Sequence, residues 1–160
     1  MPPSPDSKAY QVLLMQISKE AEQYGESLQP PCGAQSLTGL QLRARSILGV
    51  ELPPAYAAFL NMHDGLDWDG LVIYASKTTA LADHSDRFIE GWIEANQGFR
   101  SNPLMKQLLV FGDSGVDLYV YEPAKRQYSA RDRVSLDLNE SFASFEEMLA
   151  AALKTRLADE

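Results

Sequence analysis

The sequence predicts an α+β fold, with an antiparallel sheet of about four to five strands flanked by helices. Three observations carry this. Apolar residues recur at helical spacing through the first sixty or so positions and again at the end. Between them lie short β-branched and aromatic runs punctuated by Gly, Pro and Asp. That order (helices, a meander of strands, a closing helix) does not alternate as a parallel sheet would. A chain of 160 residues is long enough to bury roughly 70% of its unfolded surface as one domain. The domain is expected over residues 7–160, after a Pro- and Ser-rich start over residues 1–6 expected to be disordered.

The first helix is expected from Ser7. Tyr10, Leu13, Leu14, Ile17, Ala21 and Tyr24 fall on one face, and Gly25 is its stop. The run Gln29-Pro30-Pro31-Cys32-Gly33 reads as a connector. A second helix is expected near Thr38, where Thr38 and Gln41 fit a capping box. Its stripe is Leu40, Ala44, Ile47 and Leu48, and Gly49 ends it, with Arg43 and Arg45 in solvent. Pro53-Pro54 suits a helix start, because proline lacks an amide that the first turn would leave unpaired. Tyr56, Phe59, Leu60 and His63 share a side of this third helix, and Asp64-Gly65 ends it. A loop holding Trp68-Asp69-Gly70 then leads into a strand, Leu71-Val72-Ile73-Tyr74. A longer helix is expected over 85–97, with Phe88, Ile89, Trp92, Ile93 and Asn96 inward. Strands over 107–111 and 116–121 flank Gly112-Asp113-Ser114-Gly115 as a hairpin. Further strands are expected over 127–130 and 134–138. Ser144-Phe145-Glu146-Glu147 is a second capping box, opening a helix that buries Phe145, Met148, Leu149, Ala152 and Leu153.

Charge narrows the function classes. A formal net charge of −8 argues against direct nucleic-acid binding through phosphate neutralisation. The single cysteine, Cys32, excludes an internal disulfide, and with two histidines there is no zinc-ligand spacing. No signal peptide pattern and no apolar run of membrane-spanning length is present, so no membrane partner is expected and the cytoplasm is the simplest compartment.

Four constellations bear on chemistry. His63, Asp64, Asp67 and Asp69 form an acidic loop, but Gly65 and Ser76 stand where a calcium loop needs its first and last carboxylates. The competing readings are a turn of locally bonded Asp side chains and a protein-contact loop anchored by Trp68. Gly112-Asp113-Ser114-Gly115 matches a short serine-protease motif, yet no base or orienting residue accompanies Ser114. Trp92 at helical spacing with Phe88 and Ile89 reads as core, leaving Glu90 and Glu94 in solvent. Lys125, Arg126, Arg131 and Arg133 read as balancing nearby carboxylates. Cys32 lacks a basic neighbour that would activate it.

Several segments together resemble the SUKH superfamily, which includes bacterial immunity proteins and a fungal cell-wall-assembly regulator. They are Leu48-Gly49-x-x-Leu52-Pro53 with Tyr56, Phe59-Leu60 and Gly65; the strand Gly70–Tyr74; Trp92; Leu109-Val110-Phe111-Gly112-Asp113-x-Gly115-x-Asp117-x-Tyr119; and Ser141-Phe142 with Ser144–Leu149. The likeness spans residues 36–157, with the YrhA-like group nearest; it departs at Asp64, where Asn is usual, and at the extra first helix. The resemblance implies a non-catalytic SUKH-like fold without cofactor or metal, whose bacterial members neutralise a toxin by protein–protein contact. No contact residue carries over. The candidate contacts, chosen by charge and loop position, are Asp64, Asp67, Trp68, Asp69, Asp113 and Asp117. Their charge would suit a basic nuclease toxin. The alternatives are a cytoplasmic housekeeping adaptor or regulator of the same fold and a small metal-dependent enzyme using the His63–Asp69 loop.

Overall fold

From Leu66 onward short strands separated by turns build an antiparallel sheet, whose central strands are buried in contiguous runs and against which the helical segments lay their apolar stripes. The computed structural model describes residues 5–157. Its helices are α1 (Pro5–Gln23), α2 (Ala34–Arg43), α3 (Pro54–Leu60), α4 (Trp92–Phe99) and α5 (Phe145–Lys154). The strands are β1 (Leu66–Trp68), β2 (Leu71–Ile73), β3 (Thr79–Ala80), β4 (Phe88–Ile89), β5 (Leu109–Asp113), β6 (Asp117–Glu122), β7 (Gln127–Asp132) and β8 (Leu138–Phe142). Six of them form one sheet in the order β1-β2-β5-β6-β7-β8, while β3 and β4 pair separately. The fold is therefore α+β as expected, with a wider sheet than four to five strands. The expected disordered start falls on residues 1–4, outside the described residues, except for Pro5 and Asp6, which α1 includes.

The core is the junction of α3, α4 and α5 with β5. Tyr56, Trp92, Phe111 and Phe145 meet there with ring centroids 5.0–5.6 Å apart. All four are buried, and the Tyr56 hydroxyl donates to the Tyr74 carbonyl at 2.7 Å. Burying side chains of this size contributes roughly 1.5–3 kcal/mol each. Beside them, β2 is too short to pair with all of β5. Asn96 of α4 takes its place at Val110: its carboxamide accepts from the Val110 amide at 2.8 Å and donates to the Val110 carbonyl at 2.9 Å. One buried side chain thus stands in for a strand residue.

Several expectations are corrected. Trp68-Asp69-Gly70 is not a plain loop. Trp68 pairs with Leu71 across a two-residue turn, so β1 is a strand and the acidic stretch is a hairpin. Asp69 (φ 49°) and Gly70 (φ 83°) both take the left-handed conformations that such a turn demands. The helix expected over 85–97 begins only at Trp92, and Phe88 is exposed. At Gly91 the chain lies flat against residues 77–78, and a Cβ there would sit 2.7 Å from the Lys77 Cα and the Thr78 nitrogen. The second helix starts at Ala34 after Gly33, so Thr38 is interior and its hydroxyl donates to the Ala34 carbonyl at 3.0 Å. A π-helical turn, Ala44–Leu48, extends that helix; it turns Ile47 outward, and Gly49 (φ 70°) ends it. The strand expected over 134–138 is a turn with Val134 exposed, and pairing with β7 begins at Leu138. The closing helix follows expectation: the Glu147 amide donates to the Ser144 hydroxyl at 3.1 Å, and the Glu147 carboxylate accepts from the Ala143 amide at 2.6 Å.

Candidate partner-binding site

The corner where α1 ends beside the β1–β2 hairpin holds an open groove of about 510 Å³. Its sequence logic is local. Gly25 (φ 71°) turns the chain out of α1, and the Asp69-Gly70 turn projects the hairpin tip toward that exit. The groove is lined by Glu20, Tyr24, Glu26, Asp67, Trp68 and Asp69, with Arg87 and Arg156 on its walls. Tyr24 and Trp68 form an aromatic pair, centroids 6.4 Å apart and planes at 53°. Tyr24 was expected inward; it is 75% exposed, because α1 ends before carrying it back onto the core. Trp68 is half-buried: part of the indole packs on the core, and its ring N–H is buried with no acceptor among the described residues.

Arg87, just ahead of β4, lines the groove, and polar contacts hold the small β3–β4 unit beside it. Gln29 donates to the Ala80 carbonyl at 3.2 Å and accepts from the Ala82 amide at 2.6 Å. Asp83 accepts from the Ser27 hydroxyl at 3.1 Å and from the Ser27 amide. His84 lies 3.3 Å from Glu26, and Arg87 lies 3.2 Å from Asp67. Two of these contacts, Glu26–His84 and Asp67–Arg87, use groove carboxylates. Glu20 and Asp69 have no ion-pair partner among the described residues.

The expected contact residues divide. Asp67, Trp68 and Asp69 share the groove. Asp64 is turned inward, where it accepts from the Ser76 amide at 2.7 Å and the Ser76 hydroxyl at 3.1 Å. Asp113 accepts from the Tyr74 hydroxyl at 2.9 Å and pairs with Arg133 at 3.1 Å. Asp117 accepts from Asn139 at 2.7 Å. His63 is also occupied, 2.6 Å from the Gln29 carbonyl; Nδ1 carries the proton, since a carbonyl only accepts. The residues missed were Glu20, Tyr24 and Glu26. The Glu20–Tyr24 spacing of one helical turn, with Gly25 next, was the available signal.

The other constellations are structural. Ser114 makes the β5–β6 turn, its hydroxyl accepting from the Asp117 amide at 3.1 Å. Arg131 pairs with Glu122 at 3.1 Å. Arg43, expected in solvent, bridges Glu94 at 3.1 Å and the Ser76 carbonyl at 2.9 Å. Burial, with Asp64 adding, pushes the Cys32 thiol up, away from the reactive thiolate. Among the described residues no three His, Cys, Asp or Glu side chains are placed to hold a metal ion, and no helix is long and apolar enough to cross a membrane.

The sequence matches no family model, and no curated protein matches it significantly.

Proposed function

We propose that this chain is an immunity-type protein of the SUKH kind, which binds a bacterial toxin in the cytoplasm and neutralises it by protein contact rather than by catalysis. The observation that carries the reading is the groove: an aromatic pair, the exposed Tyr24 and the half-buried Trp68, rimmed by carboxylates on an acidic molecule. Aromatic anchors beside charged rims are what protein interfaces use. The net charge of −8 suits a basic partner such as a nuclease, whose nucleic-acid cleft an acidic surface would occupy and whose encounter it would speed. The segments that resemble the superfamily add support, because Tyr56, Trp92, Phe111 and Phe145 from four of them meet in one aromatic core.

The test is co-expression with a toxin from the same locus, found by inspecting the genes on either side. Growth rescued by the chain, with a co-purifying complex, is the expected result. Unrescued growth with no complex, from a chain shown to be folded, would sink the reading. A pull-down dominated by endogenous cytoplasmic proteins would favour the adaptor role.

A further inference from the structure

Resting on the reading of the groove as a protein-contact site, we infer that it receives an arginine side chain of the partner, stacked on the Tyr24–Trp68 pair and forked by the carboxylates around it. The ring faces supply one half of the chemistry. Tyr24 is 75% exposed, and a cation over such a face is attracted by the ring quadrupole. The carboxylates supply the other half. Glu20 and Asp69 have no ion-pair partner among the described residues, and Glu26 faces only His84. Of the groove's own cations, Arg87 sits on Asp67, and Arg156 is held to the Ser114 carbonyl at 3.3 Å. Asp67 with Arg87 shows that a guanidinium fits this wall, and Arg87 holds it by one contact from a side chain 55% exposed.

A guanidinium fits better than the other cations. It is flat, so it lies on an aromatic ring while its edge donates two parallel hydrogen bonds to a carboxylate. An ammonium is a strongly hydrated point charge that cannot do both. A metal ion needs converging ligands, which the described residues do not offer. On the reading of the groove as a protein-contact site the arginine belongs to a protein segment, and the groove, about 510 Å³ and open to solvent, leaves room for main chain beside the side chain.

The experiment titrates the intact chain with the peptides Ac-Gly-Arg-Gly-NH2, its lysine analogue and its uncharged citrulline analogue, following amide and indole resonances at low salt. The Trp68 indole and the Asp69 and Gly70 amides are expected to shift saturably with the arginine peptide, several-fold less with lysine, and not with citrulline. Tyr24→Ala removes one exposed ring and is expected to weaken the arginine response about two- to fivefold. Glu20→Gln with Asp69→Asn should weaken it further without unfolding the chain. Equal shifts from arginine and citrulline, shifts spread over the acidic surface, or an undiminished response in these variants would overturn the inference. Toxin protection alongside any of those results leaves the immunity reading intact. Arginine binding by a chain that protects against no toxin overturns that reading alone.

Discussion

The aromatic junction and the α1–hairpin corner are built from the same residue types by opposite means. At the junction, Tyr56, Trp92, Phe111 and Phe145 are closed off from water, and the buried Asn96 beside them has both ends of its carboxamide bonded. At the corner, Tyr24 and Trp68 stay in contact with solvent, and what encloses them is a set of side-chain hydrogen bonds and ion pairs. Apolar burial is non-directional and hard to exchange. Exposed ion pairs contribute little to stability and are readily traded for a partner's groups. The first region fixes the fold, and the second is the proposed contact surface.

Substitutions should separate the two. Phe111→Ala opens a cavity among four rings and is expected to cost about 3–5 kcal/mol, read by urea unfolding. Asn96→Ala leaves the Val110 amide and carbonyl unpaired; a loss of about 1–3 kcal/mol is expected. Alkaline pH should act on the junction as well. Burial, then the charges of Tyr121 and Glu146, pushes the Tyr128 hydroxyl up to about 12 from 10.0, and burial also raises Tyr74 and Tyr56. Because these values are raised in the folded state, the stability tied to the neutral phenols is complete below pH 10.0 and is lost as pH climbs through about 12. A melting temperature that is flat across that range would contradict the burial account. Smallest of all, Arg87→Ala at the corner is expected to change stability by less than about 1 kcal/mol. If Arg87→Ala unfolds the chain, the corner is structural and the contrast fails.

The sequence made the junction far more legible than the corner. Tyr56, Phe59, Leu60, Trp92 and the α5 stripe repeat at helical spacing, so their burial follows from period alone. The corner depends on pairings far apart in the chain. Gln29 reaches Ala80 and Ala82, Glu26 reaches His84, and Asp67 reaches Arg87, and no local pattern announces such contacts. Trp68-Asp69-Gly70-Leu71 was a readable hairpin signal, obscured because β1 is only three residues long. Gly91, from which α4 starts later than expected, makes a close approach to Lys77 and Thr78 that is visible only in three dimensions. Asp64, Asp113 and Asp117 stood out by charge, yet each has a partner within the fold.

The most direct test of the groove as the proposed contact surface is the affinity of the purified chain for a toxin it protects against, measured for the wild type and for Glu20→Gln/Tyr24→Ala/Asp69→Asn at matched melting temperature. Loss of an aromatic anchor and two rim charges is expected to weaken binding by at least about tenfold and to flatten its salt dependence. An unchanged affinity in the folded variant would place the interface elsewhere and contradict the account.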